Sequence, residues 1–160
     1  MFFEAMHVIH VAAVILWIGG LGFITIVMLP MVIKMPDALQ KVLLFGRIEH
    51  KFAPLARVYN AVTGITGFIM MFSMGWQKML LTREGHTLLF MLAVWVFWFV
   101  MLFGLEPLII RKMLDKLAKS GEKTEIETIF TRMNKLHVIL LILSLLASAA
   151  GIMFAHGYVI

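Results

Sequence analysis

The chain has 160 residues, 62% of them hydrophobic and 14% charged, with a net charge of +5 and no cysteine. Its mean hydropathy of +0.98 lies far from that of soluble domains, in which about a quarter of the residues are charged, so the composition predicts a polytopic membrane protein. No length remains for a soluble catalytic unit, and the lack of cysteine excludes disulfides, thiolate metal sites and iron–sulfur clusters held by this chain alone.

A span takes about 20 apolar residues, and four runs qualify: 5–33, 52–76, 87–110 and 136–160. The expected fold is all-α: a single domain forming a transmembrane up-down four-helix bundle with short connections. The first run carries His7 and His10 near its start and Gly19, Gly20 and Gly22 further on. It is too long for a signal-peptide core and lacks a basic leader, so it reads as a retained span.

The segment 34–51 reads as a cytoplasmic loop. In the second run Pro54 suits a first helical turn and biases Ala53 away from helix, which puts His50 on a short kinked lead-in. Beyond it, His50, Arg57, Asn60, Gly64 and Met71 fall on one broad face. The outer loop 77–85 is short. The third run holds WVFWF (Trp95–Phe99), which reads as lipid-facing bulk, and Pro107 bends or ends that helix just after Glu106.

After it, residues 111–119 extend the helix beyond the bilayer, and Ser120–Gly121 makes a turn. Thr124 then caps a segment with Ile126, Ile129, Phe130 and Met133 at helical spacing. The fourth run carries a stripe of small residues: Ser144, Ser148, Gly151 and Ala155. Such small residues read first as places where membrane helices touch and second as room for a flat cofactor.

Lysine and arginine concentrate in two connections: Lys34, Lys41, Arg47, Lys51 and Arg57 around the first, and Arg111, Lys112, Lys116, Lys119, Lys123, Arg132 and Lys135 after the third run. The positive-inside bias puts these in the cytoplasm and both termini outside, across a bacterial inner membrane. The positive charge is therefore assigned to topology and to anionic lipid, not to nucleic acid.

Ionisable groups inside a span are costly and mark function by default. At about 1.5 Å per residue, His10 and His156 lie roughly 13 and 12 Å toward the outside of their run centres. His50 and His137 lie on the order of 16–21 Å toward the cytoplasm. Two imidazoles facing each other across a bundle hold a b-type haem by axial ligation, so the pairs His10–His156 and His50–His137 are candidate iron ligands. His156 sits about 100° around the fourth helix from the small-residue stripe that His137 shares, which suits two haems more than one.

His7 and His86, about 18 Å out, rank lower as ligands. The plainer reading of each histidine is an interfacial side chain or a helix–helix hydrogen bond. Arg57 needs an anion, either Glu106 or a haem propionate, or else reaches the inner headgroups. Met70, Met71, Met74 and Met79, with Met6, Met91 and Met153, offer thioethers for copper(I) as the alternative metal, although methionine is also ordinary core filler. The sequence carries no phosphate loop, nucleophile elbow, zinc-protease motif or dinucleotide fingerprint.

The stretch from His10 through Trp17 to Gly19-Gly20 resembles the first helix of CopD-like membrane proteins, a copper-resistance-associated family. It also resembles the first helix of HemJ-type protoporphyrinogen oxidases. Glu49-His50-Lys51-Phe52, Ala56-Arg57, Glu106-Pro107-Leu108, Leu136-His137 and His156-Gly157 resemble segments of uncharacterised bacterial four-helix CopD-like proteins. The HemJ resemblance implies haem on His10 and a role in haem biosynthesis, and the CopD resemblance implies copper handling. After Gly20 the chain has Leu21-Gly22-Phe23-Ile24-Thr25, where HemJ proteins carry tyrosine and arginine, and its third run lacks an intramembrane lysine.

The combined expectation is a membrane b-type cytochrome with one or two haem b groups, moving electrons within or across the membrane. A quinol or a periplasmic redox protein would be its partner, and its small size is compatible with a homodimer. A HemJ-like oxidase and a copper-handling protein are the alternatives.

Overall fold

The computed structural model describes the backbone of residues 1–120 and 122–158, and their side chains except at 109–111, 114 and 118–120. Among the described residues there is no strand. Four helices are long and apolar enough to cross a membrane: Phe2–Ile33, Ala38–Ser73, Arg83–Leu108 and Lys123–Ala155.

The first span is α1 (Phe2–Phe23), a wider π-wound turn (Ile24–Met28) and α2 (Leu29–Ile33). In the turn, the Leu29 N–H donates to the carbonyl of Ile24, five residues back. Pro30 follows at once and has no N–H to offer, and the Thr25 hydroxyl donates to the Leu21 carbonyl at 2.7 Å. Broken ladders of this kind persist in membranes only where other groups satisfy the freed backbone.

The second span, α3 (Ala38–Ser73), starts far earlier than its apolar run. Asp37 caps it, its carboxylate accepting from the Gln40 N–H at 3.0 Å, and good helix formers follow. The expected loop 34–51 is therefore mostly helix. Pro54 lies inside that helix, not at its start. Its missing N–H leaves the His50 carbonyl without a helical partner, and both residues are exposed. His50 thus sits on a continuous helix and not on a kinked lead-in.

Two short tight turns (Trp76–Met79 and Arg83–Gly85) lead into α4 (His86–Val100), which continues as a π-wound stretch (Met101–Ile110) into α5 (Arg111–Ser120). Pro107 widens this span and does not end it. The helical extension past residue 110 is present as expected, whereas the turn expected at Ser120–Gly121 includes Gly121, which lies outside the described residues. Helix α6 (Lys123–Ala155) has Glu122 at its cap position, so Thr124 falls within the first turn and does not cap it.

The core has two parts. At the end holding the basic connections, Leu29, Val32, Val42, Phe45, Leu117, Ile126 and Phe130 pack together, with Phe45 and Phe130 edge to face at 5.6 Å. Lys41 is buried beside them, its ammonium 3.9 Å from the Glu127 carboxylate. The second part joins Trp17, Leu21, Ala56, Val94, Trp98 and Leu140. The first and second spans meet in opposite chain order: His10 lies against Thr63 and Thr66, and Gly20 lies against the Phe52 ring.

Candidate functional site

His10 meets the second span at a repeated Thr-Gly pair, Thr63-Gly64-Ile65-Thr66-Gly67. Its Nδ1 lies 3.0 Å from the Thr63 carbonyl oxygen and 3.0 Å from the Thr66 hydroxyl. A carbonyl only accepts, so Nδ1 must carry the proton. The Thr66 hydroxyl spends its own hydrogen on the Val62 carbonyl at 2.6 Å, so it too accepts from Nδ1. In the neutral ring this leaves Nε2 unprotonated, with its lone pair available. Gly67 makes this seat possible, since a Cβ there would stand 3.3 Å from the imidazole Cε1.

His137 and His156 are oriented in the same way by their own helix. The Nδ1 of His137 donates to the Met133 carbonyl at 2.9 Å, and that of His156 donates to the Ile152 carbonyl at 2.8 Å. In each ring Nε2 remains the free nitrogen. A second hydrogen bond that fixes tautomer and ring orientation is what histidine ligands to metals characteristically have.

The expected pairs differ in their surroundings. His10 and His137 are half-buried, whereas His50 and His156 are exposed. His156 caps the end of α6, beyond the last helical residue. Neither His10–His156 nor His50–His137 is joined by a hydrogen bond or ring contact among the described residues, and His10 is engaged by the second span. His7 is exposed and stacks on Phe3 at 6.2 Å. Phe3, Trp76 and Phe154 form an edge-to-face series, which gathers the His7 and His156 ends of the first and fourth spans. His86 lines a shallow cleft with Thr87, Phe90, Leu146 and Ala150.

Among the described residues, no three histidine, aspartate or glutamate side chains gather as a metal cage. A haem requires only one or two protein ligands, because the porphyrin supplies four nitrogens. An imidazole anchored through one nitrogen can serve as such a ligand. No family model, curated protein or solved structure matches the chain.

About 9 Å before Thr63 along the second span lies a second polar group. Arg57 is ion-paired with Glu106 and donates through Nε to the Leu102 carbonyl at 2.8 Å. In a π-wound stretch that carbonyl would pair with the residue five ahead, which is Pro107 and has no N–H. The guanidinium fills the vacancy. Of the two anions expected for Arg57, the structure places Glu106 beside it.

Between His10 and Arg57 lies Asn60, fully buried, with its carbonyl accepting from the Trp95 indole at 2.9 Å. That indole lies flush against Gly64, where any Cβ would collide with it. Trp98 donates to the Ser144 hydroxyl at 3.0 Å and stands edge to face with Trp17 at 5.5 Å. The expectation of lipid-facing bulk therefore holds for Phe97 and Phe99, which are exposed, but not for Trp98, which is buried.

Thr63 and Thr66 are absent from the sequence candidates, and Trp95 and Trp98, read there as lipid-facing bulk, face the neighbouring spans instead. The available signal was the Thr-Gly repeat, two hydroxyls three residues apart inside an apolar run.

Proposed function

We propose that the chain is an integral membrane haem b protein that transfers electrons within or across the membrane. The observation that carries this reading is His10, whose Nδ1 is held by Thr63 and Thr66 and whose Nε2 is left free inside a bundle. His137 and His156 support a second ligand or a second haem. The resemblance of the His10–Gly20 stretch to HemJ-type first helices points to the same ligand.

In this reading the spans form an up-down bundle, with both termini outside and the basic connections in the cytoplasm. Haem iron, when bound, supplies a one-electron couple. The chain contributes an oriented imidazole, a glycine-lined approach at Gly67, and a neutralised Arg57–Glu106 pair that keeps an uncompensated charge out of the interior.

The test is the visible spectrum of the detergent-purified protein, oxidised and dithionite-reduced. We expect a Soret band and a reduced α-band, lost in His10→Ala and kept in His86→Ala. No bands after haem-replete expression would reject the reading, and the reverse mutant order would overturn the choice of His10. Pyridine-haemochrome analysis counts one haem or two.

A further inference from the structure

Asn60 has no solvent exposure, yet neither its side-chain oxygen nor its side-chain nitrogen meets a hydrogen-bond partner in the protein. The Thr63 hydroxyl, in a residue 7% exposed, is likewise without one. Positions three apart on a helix face are neighbours, about 5–6 Å between Cβ atoms, so these atoms share one surface of α3. Arg57 stands three residues before Asn60, and Thr66, which accepts from His10, stands three after Thr63; each step turns about 60°, so the row winds from the third-span side of α3, at Arg57, round to the first-span side, at Thr66.

Native proteins rarely leave buried polar atoms unpaired, and where they do an ordered water usually serves them. Hydrocarbon makes the requirement stricter. The available groups suit water in particular. An amide offers both donors and an acceptor, a hydroxyl offers both functions, and both groups are neutral. Trp95 closes the third-span side over Gly64.

We propose that Asn60 and Thr63 bind ordered water, making one hydrated seam through the bundle interior from the Arg57–Glu106 ion pair to His10. Through it the Nδ1 proton of His10 exchanges with protons at the Glu106 end. A water gives one proton to the ring position and receives the one released, so neither net charge nor electrons move. The site stands on the polar atoms of α3 and does not depend on whether haem binds.

Asparagine occurs only at positions 60 and 134, which makes the test clean. Protein labelled with ¹⁵N-asparagine, reconstituted in lipid, is examined by water-edited solid-state NMR. We expect magnetisation transfer from water to the Asn60 side-chain amide, assigned by its absence in Asn60→Leu; the second signal is Asn134, half-buried well inside α6. A dry Asn60 signal overturns the proposal.

In ¹⁵N-histidine samples moved into deuterated buffer, Asn60→Leu should slow exchange at His10 Nδ1 about tenfold or more, and Thr63→Val should slow it less. Unchanged exchange in both variants rejects the seam as the route. If Asn60→Leu does not fold, the wild-type water transfer and Thr63→Val decide the matter.

Discussion

His10 owes its position to what is missing from residue 67. A Cβ at Gly67 would already press on the imidazole, and a longer side chain must displace it from Thr63. Gly67→Leu should therefore cost about 1–3 kcal/mol by overpacking and reduce haem retention about tenfold, at about 1.4 kcal/mol per decade. Gly19→Leu is the matched control, because nothing lies within 4 Å of a Cβ there, and its spectrum should equal that of the wild type. The His10 candidate was legible because an imidazole in an apolar run is conspicuous. Its seat was not legible, because Thr63 and Thr66 act through a carbonyl and a lone pair, which composition does not display.

The helices show the same division at their own scale. All four spans could be read from apolar runs, since hydropathy reports burial in lipid directly. The extensions of the third and fourth spans past the bilayer could also be read, but that of the second could not, because Ala38–Lys51 is polar enough to resemble a loop and Pro54 resembles a start signal. That is why His50 was expected on a lead-in and lies instead on the exposed side of a long helix.

The Arg57–Glu106 pair joins the second span to the third at the widened stretch around Pro107. Removing one partner of a buried pair strands the other charge at a cost of about 3–5 kcal/mol, while replacing both with apolar residues is often neutral. Glu106→Gln should therefore lower the detergent melting temperature clearly, and Arg57→Leu/Glu106→Leu should recover most of the loss. A double variant as unstable as the single one would show that the pair does more than neutralise itself.

For the whole molecule, the basic connections close on each other instead of trailing into solvent. Phe45 and Phe130 pack across them, and Lys41 reaches Glu127. The lack of cysteine makes the native chain a ready background for single-cysteine labelling. In the proposed topology, with both termini outside, Lys34→Cys and Glu122→Cys should react with a membrane-impermeant maleimide only after the cells are opened. Thr82→Cys and Tyr158→Cys should react in intact cells. The opposite pattern would invert the topology and, with it, which end of the seam meets the cytoplasm.

The π-wound turn at Ile24–Met28 has a consequence of phase. Residues four apart on a regular α-helix creep around the axis by about 40° each turn, so a run at 13, 17, 21, 25 and 29 would drift nearly halfway round. Yet Ala13, Trp17, Leu21, Thr25 and Leu29 are all buried. The wider turn, with more residues per revolution, works like a leap day: it absorbs the accumulated error and returns Leu29 to the inner face. A helical wheel drawn at constant pitch would have turned that fully buried residue toward the lipid.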